Sequence, residues 1–245
     1  MRATLIDYTG AGSPDPWYAA ALLIFTKNTR LEMGPEGLSS ILAWSQDKMV
    51  EELEYMSRTI PSSWEFVHYT FSITEVTRAL THQLVRTRTA SYAQQSQQIG
   101  DFSGFSYEVG PSILAKPEAE EIYRETMGMI SEAYRALLAL GVRSEDARGL
   151  LPTHIHTNIC MSANLRTLSD LFKSRISPRN YGAMADLCRL MRVEMTRVHP
   201  WARIFFERGE QEAMEELDSS ISALPVEEKE RLRIHKLVDE IRRER

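Results

Sequence analysis

The segment LVRTRTASYAQQSQQ, residues 84–98, constrains the fold of this chain most. Two arginines, Arg86 and Arg88, stand two apart, and serine and glutamine alternate after them. No apolar period of 2 or 3.6 runs through it, so it has no face to bury. The residues before it are more regular. Val76, Leu80 and Leu84 come at steps of four and predict one buried helical stripe. Ser72 and Glu75 form an S-x-x-E capping pattern that would start this helix. Ala79, Gln83 and Arg86 fall on another of its faces. Past the helix, residues 91–98 read as extended, which points Gln94, Ser96 and Gln98 to one side.

The rest of the chain reads as a frame for that segment. Residues 3–9 (ATLIDYT) and 64–73 (WEFVHYTFSI) are rich in β-formers and predict strands. Residues 10–16 (GAGSPDP) form a loop, 17–27 a helix, and 34–56 one or two helices. The second half reads as helical. Residues 117–141 open with Pro117 and acidic side chains and stop at Gly141. Ser144, with Glu145 and Asp146 after it, reads as the next cap, and Pro152 interrupts or kinks the helix it would start. Residues 161–180 and 181–200 read as two helices joined at Ser177 and Pro178, and 225–245 as a charged amphipathic helix. There is no repeat, low-complexity tract or linker, so one α+β domain over residues 1–245 is expected.

Composition narrows the function. With 43% apolar and 26% charged residues, the chain can bury an ordinary globular core. Its net charge of −5 argues against nucleic acid as a partner, because such binding needs a basic surface. No run of eighteen apolar residues occurs, so no membrane partner is expected, and the start lacks the apolar core of a signal peptide. Two cysteines are too few for a disulfide framework and fit a reducing, cytoplasmic setting. Cys160 and Cys188 lie in apolar stretches read as helical, with nothing beside them in sequence to activate a thiol. His154 and His156 form an H-x-H pair, but no cluster of acids or thiols completes a metal site. The glycine-rich phosphate loops of dinucleotide and nucleoside triphosphate folds are missing, as is the G-x-S-x-G elbow.

Arginines remain. Arg86 and Arg88 could simply favour a helix C-terminus. Gln83 and Arg86, three apart, could instead reach one ligand together. Gln94, Ser96 and Gln98 would offer it amides and a hydroxyl, suited to a sugar, a phosphate or a pyrimidine edge. Arg148, the pair Arg166 and Asp170, and the pair Arg175 and Arg179 either make surface ion pairs or line the same pocket.

Residues 86–98 (RTRTASYAQQSQQ) resemble the signature of flavin-dependent thymidylate synthases, R-H-R-x-x-S and then (E/Q)-x-S-x-R. The preceding FVHYTFSITEVTRALTHQLVR is similar to that family's strand and helix, with His68, Thr70 and Gln83 at functional positions. ARGLLP around Arg148 resembles A-R-x-x-L-P, and ANLRTLSDLFKSR matches N-x-R-x-L-x-(N/D)-F-x-x-x-R at Asn164, Arg166, Asp170 and Arg175. The resemblance implies an antiparallel sheet with a helical subdomain, assembled as a homotetramer whose sites draw on several subunits. It implies methylation of dUMP to dTMP, with methylenetetrahydrofolate as carbon donor, FAD as cofactor and NADPH as reductant. It assigns Thr70, Arg86, Thr87, Arg88, Gln94, Asn164, Arg166 and Asp170 to the flavin. Gln83, Arg86, Gln94, Ser96, Gln98, Arg148 and Arg175 fall to the uracil nucleotide, with Arg175 catalytic against the pyrimidine.

The chain departs from the pattern at three places. Thr87 replaces a histidine and Gln98 an arginine, and NYGAM (180–184) stands where the family has an A-Q-x-E-I-like run. These changes leave open another uracil nucleotide such as UMP, or a flavin- or nucleotide-binding protein without catalysis.

Overall fold

The computed structural model describes residues 1–29, 34, 36–176, 182–207, 221 and 228–243. The chain divides into two compact units, residues 1–202 and 203–245. The first unit carries the sheet. Its strands are β1 (Arg2–Tyr8), β2 (His68–Thr77), β3 (Ser91–Gln94) and β4 (His156–Asn164), all antiparallel, in the order β1-β2-β4-β3. The expected antiparallel α+β fold is present.

Alternation sets the faces of the sheet. Tyr69, Phe71 and Ile73 of β2 are buried, as are Ile159, Met161 and Ala163 of β4, while Thr70, Ser72 and Ser162 between them remain half-buried. A residue period of two puts each set on one side. Helix α9 (Ala183–Val198) packs against β1 and against α4 (Arg78–Leu84) and α8 (Leu165–Arg175). Its buried Leu187, Cys188, Met191 and Met195 recur at helical spacing and face this core. Helices α1 (Tyr18–Asn28), α2 (Gly37–Leu42) and α3 (Gln46–Thr59) form a group around α1. A salt bridge joins Lys27 of α1 to Glu52 of α3.

Short α5 (Pro111–Leu114) leads into α6 (Pro117–Ala139), the long helix expected from Pro117 and Gly141. Gly141 has φ +81°, which glycine adopts without strain. Met127 and Tyr134 of α6, Ala147 of α7 (Ser144–Ala147), Phe102 and Ile155 make a second small core. In the second unit, residues Glu228–Arg243 form the charged helix expected near the C-terminus.

Several expectations change. The S-x-x-E pattern does not start α4. Strand β2 runs on to Thr77 through an irregularity between Ile73 and Val76, where Glu75 takes φ 57°. Thr77 is the cap, its hydroxyl accepting from Leu80 N at 3.1 Å. Val76, Leu80 and Leu84 are all buried as expected, although Val76 belongs to the strand. Arg86 lies beyond α4, so it does not share a helical face with Gln83. Ser144 is not a cap. Arg143 precedes α7, and the Ser144 hydroxyl donates to Gln98 O at 2.6 Å. Residues 161–164 belong to β4, so Cys160 sits in a strand rather than a helix. Residues 64–66 end a 3₁₀ helix, Pro61–Phe66, before β2 begins. The junction at Ser177 and Pro178, together with Arg179 and Asn180, lies outside the described residues.

Candidate active site

The arginine loop is clasped from below. Between α4 and β3 the chain makes turns, with Thr87 N bonded to Leu84 O at 3.0 Å and Ala90 N to Thr87 O at 3.3 Å. Tyr92 of β3 reaches back under this loop. Its hydroxyl donates towards Leu84 O at 2.9 Å and Thr87 O at 3.0 Å. Burial raises the phenol's pKa, so the group stays a donor through the physiological range. From the other side, the Thr89 and Thr167 hydroxyls meet at 2.9 Å and tie the loop to α8. Arg86 and Arg88 therefore project from a fixed backbone into solvent.

Asn164 joins β4 to α8. Its Oδ1 accepts from Thr167 N at 2.9 Å and caps the helix, which leaves its amide nitrogen to donate elsewhere. Thr70 and Ser162, register partners on β2 and β4, share a hydrogen bond of 3.1 Å on the half-buried face of the sheet. Arg166 pairs with Glu65 at 2.7 Å, with both side chains nearly half exposed. Such a pair is worth little and is easily redirected. Asp170 is exposed one turn further along α8.

A second cluster gathers beyond β3. Gln94 Nε2 donates to Thr81 Oγ1 at 2.9 Å, which fixes that amide against α4. The extended segment ends there. Gln95 N still bonds Asn158 O, but Gly100 N then turns back to Ser96 O at 3.2 Å. Ser96 and Gln98 thus lie in a turn and do not continue the one-sided row expected for residues 91–98. Ser96 Oγ accepts from Gln98 N at 3.1 Å, and Gln98 Nε2 approaches Glu145 Oε2 at 3.4 Å. Arg148 opens the 3₁₀ turn Arg148–Leu150, with its Nε donating to Glu145 O at 3.1 Å. Sequence reasoning missed Arg78. Its Nη1 donates to Gln95 O at 3.3 Å, and burial and the nearby Arg148 charge hold its pKa below the usual arginine value. Mistaking the strand end for helix interior hid it; placed first in α4, it borders this turn.

Arg175 stands apart. It ends α8, eleven positions past Asn164, about 16 Å along the axis. Its charge acts on Cys188, which burial nonetheless pushes up to about 12, so that thiol is inert as a nucleophile. Among the described residues, no hydrogen bond or ion pair joins Arg175 to the arginine loop or to the second cluster, and Arg78, Arg86, Arg88, Arg148 and Arg175 form no ion pair with a carboxylate. His154 Nδ1 lies 3.4 Å from Glu108 O and His156 Nδ1 3.0 Å from Ser106 Oγ, and the described residues contain no metal-binding cluster.

The chain is similar to known proteins over most of its length. Residues 4–201 match the Thy1 family model, described as thymidylate synthase complementing protein. A flavin-dependent thymidylate synthase of Geobacter sulfurreducens is 34% identical over 200 residues, covering 81% of this chain and 82% of that protein. One from Pyrococcus furiosus is 33% identical over 214 residues, covering 83% and 85%. In fold, the chain is similar to a Helicobacter pylori ThyX crystal structure complexed with FAD and dUMP. The TM-score is 0.61 at 20% identity, over 85% of this chain and 99% of that one.

Proposed function

We infer the reaction from one premise: the chain belongs to the flavin-dependent thymidylate synthase family. The protein is a methyltransferase that converts dUMP to dTMP with FAD as its cofactor. Methylenetetrahydrofolate as carbon donor and NADPH as reductant are consistent with the family. The observation that carries this reading is the family match over residues 4–201, which takes in the clasped arginine loop, Arg148 and Arg175.

The residues present fit a flavin dinucleotide. Arg86 and Arg88 are exposed cations on a backbone held by Tyr92 and Thr167. They would meet its phosphates, as planar forks suit phosphate oxygens. Thr70, Thr87, Gln94, Asn164, Arg166 and Asp170 would complete the cradle. The spare amide nitrogen of Asn164 would donate, and Arg166, whose pair with Glu65 is partly exposed, would be able to turn to the ligand. Reduced FAD supplies a hydride when bound.

Gln83, Arg86, Gln94, Ser96, Gln98, Arg148 and Arg175 would hold the nucleotide. A guanidinium at Arg175 against the pyrimidine favours the ring's ionised N3 form and stabilises charge developing there. Neither thiol is asked to attack the ring, which suits a buried Cys188. Arg175 stands at the far end of α8 from Asn164, which fits a site completed by another copy of the chain. We take the assembly to be the homotetramer implied by resemblance to the family. The exposed apolar side of α6 supports this, with Ile122 and Met129 seven apart and both well exposed.

The test is turnover. Purified protein given FAD, NADPH, methylenetetrahydrofolate and dUMP should form dTMP, and Arg175→Ala should keep its flavin while losing most of that rate. Flavin-loaded protein that makes no dTMP, or an Arg175→Ala variant as fast as wild type, would contradict the assignment.

A further inference from the structure

We propose that Arg78 supplies the nucleotide phosphate with the cation that Gln98, standing where the family has arginine, does not provide. This rests on dUMP being the substrate and names a specificity-determining residue for it.

The geometry comes from the turn after β3. Arg78 is the first residue of α4, and its backbone N is bonded to Ile155 O at 3.1 Å, so the side chain starts from a fixed point. It is half-buried and reaches Gln95 O through Nη1 at 3.3 Å. A guanidinium carries five N–H donors in a planar fork, so one such bond leaves most of them available. Gln95 opens the turn that holds Ser96 and Gln98. Gln98 itself points elsewhere. Its carbonyl takes the Ser144 hydroxyl and its amide nitrogen faces Glu145, whose own carbonyl takes Arg148 Nε. Arg78 thus meets the turn at Gln95, and Arg148 meets it through Glu145, the partner of the neutral Gln98.

The charges agree with that placement. Among the described residues, no carboxylate pairs with Arg78 or Arg148, and the Arg148 charge disfavours that of Arg78. Two cations kept close in this way attract an anion with at least two acceptor oxygens. A phosphate monoester is such an anion, and the Ser96 hydroxyl, in the same turn, is a fitting third partner. The alternative role for Arg78 is to pin Gln95 O alone. That role would affect every ligand of the turn equally, whether or not it carries phosphate.

The experiment compares dUMP with deoxyuridine, which lacks the phosphate, on FAD-loaded protein. Arg78→Gln should weaken dUMP binding about ten- to a hundred-fold and leave deoxyuridine binding unchanged, the loss expected for a charge-assisted bond. KM for dUMP should rise by that factor while kcat stays within a few-fold. Adding Gln98→Arg to Arg78→Gln should restore most of the lost dUMP affinity. The proposal fails if Arg78→Gln binds dUMP as wild type does, if both ligands weaken equally, or if Gln98→Arg restores nothing. Should Arg78→Gln not fold, Arg78→Lys decides. It keeps a charge without the fork, so dUMP should weaken about three- to ten-fold with deoxyuridine unchanged. Equal losses, or none, would overturn the proposal. A wild-type protein that binds no dUMP would instead contradict the substrate assignment.

Discussion

His199 is kept neutral by its surroundings. It is buried, its Nδ1 lies 2.9 Å from the Tyr69 hydroxyl, and its ring stacks on Trp201 with centroids 5.1 Å apart. Burial lowers its pKa to about 4, whereas an unfolded imidazole titrates near 6.5. Between these values the unfolded chain binds a proton that the native chain excludes. Stability is therefore full above about pH 6.5 and falls as the pH drops towards 4, by up to about 3 kcal/mol. Urea midpoints measured from pH 7 to 4 should show this loss. His199→Gln, which can still pair with Tyr69, should flatten the profile; an unchanged slope would rule His199 out as its source. At the same scale, Thr87 and Gln98 have different consequences. Thr87 contributes its carbonyl to the Tyr92 clasp, which any residue could do. Gln98 changes charge where an anion is expected, so its effect depends on Arg78.

Strands and helices place these residues, and Tyr92 shows how. By holding both Leu84 O and Thr87 O, it joins the end of α4 to β3 across the arginine loop. Tyr92→Phe leaves two carbonyls without that donor and should cost about 1–2 kcal/mol in urea unfolding. It should also weaken FAD binding, read by fluorescence titration, because Arg86 and Arg88 lose their fixed base. FAD affinity equal to wild type would remove Tyr92 from the site's framework. The long α6 and the first strand were legible in the sequence, because each carried a local signal; the arginine segment stood out by its lack of pattern, but neither the end of α4 before Arg86 nor the turn at Ser96 was marked. Strand β4 was not. Thr157, Ile159, Met161 and Ala163 alternate as a strand should, but cysteine, serine, alanine and asparagine among them are weak strand formers. Pairing with β2 on one side and β3 on the other settles that segment, and sequence pattern does not report such pairing. Likewise, S-x-x-E at Ser72 looked like a cap only because the bulge at Glu75, which lets β2 continue to Thr77, leaves no simple local mark. Read as a cap, Ser72 starts the helix several residues too early and leaves Arg78 inside it.

Four of the arginines assigned to the site face outward. Arg86, Arg88, Arg148 and Arg175 are exposed in a protein whose net charge is −5. Arg175 lies a helix length from Asn164, at the other end of α8. A site assembled between copies reconciles these facts, and light scattering should give the mass of about four chains of 28.1 kDa. A stable monomer that is fully active would exclude such a site. The assigned chemistry is reached most directly by mass spectrometry of the nucleotide recovered after wild-type protein is incubated with dUMP, methylenetetrahydrofolate, NADPH and FAD. The expected product is dTMP, formed only when the folate and the reductant are both present. Unaltered dUMP from protein that has bound flavin would refute the assignment.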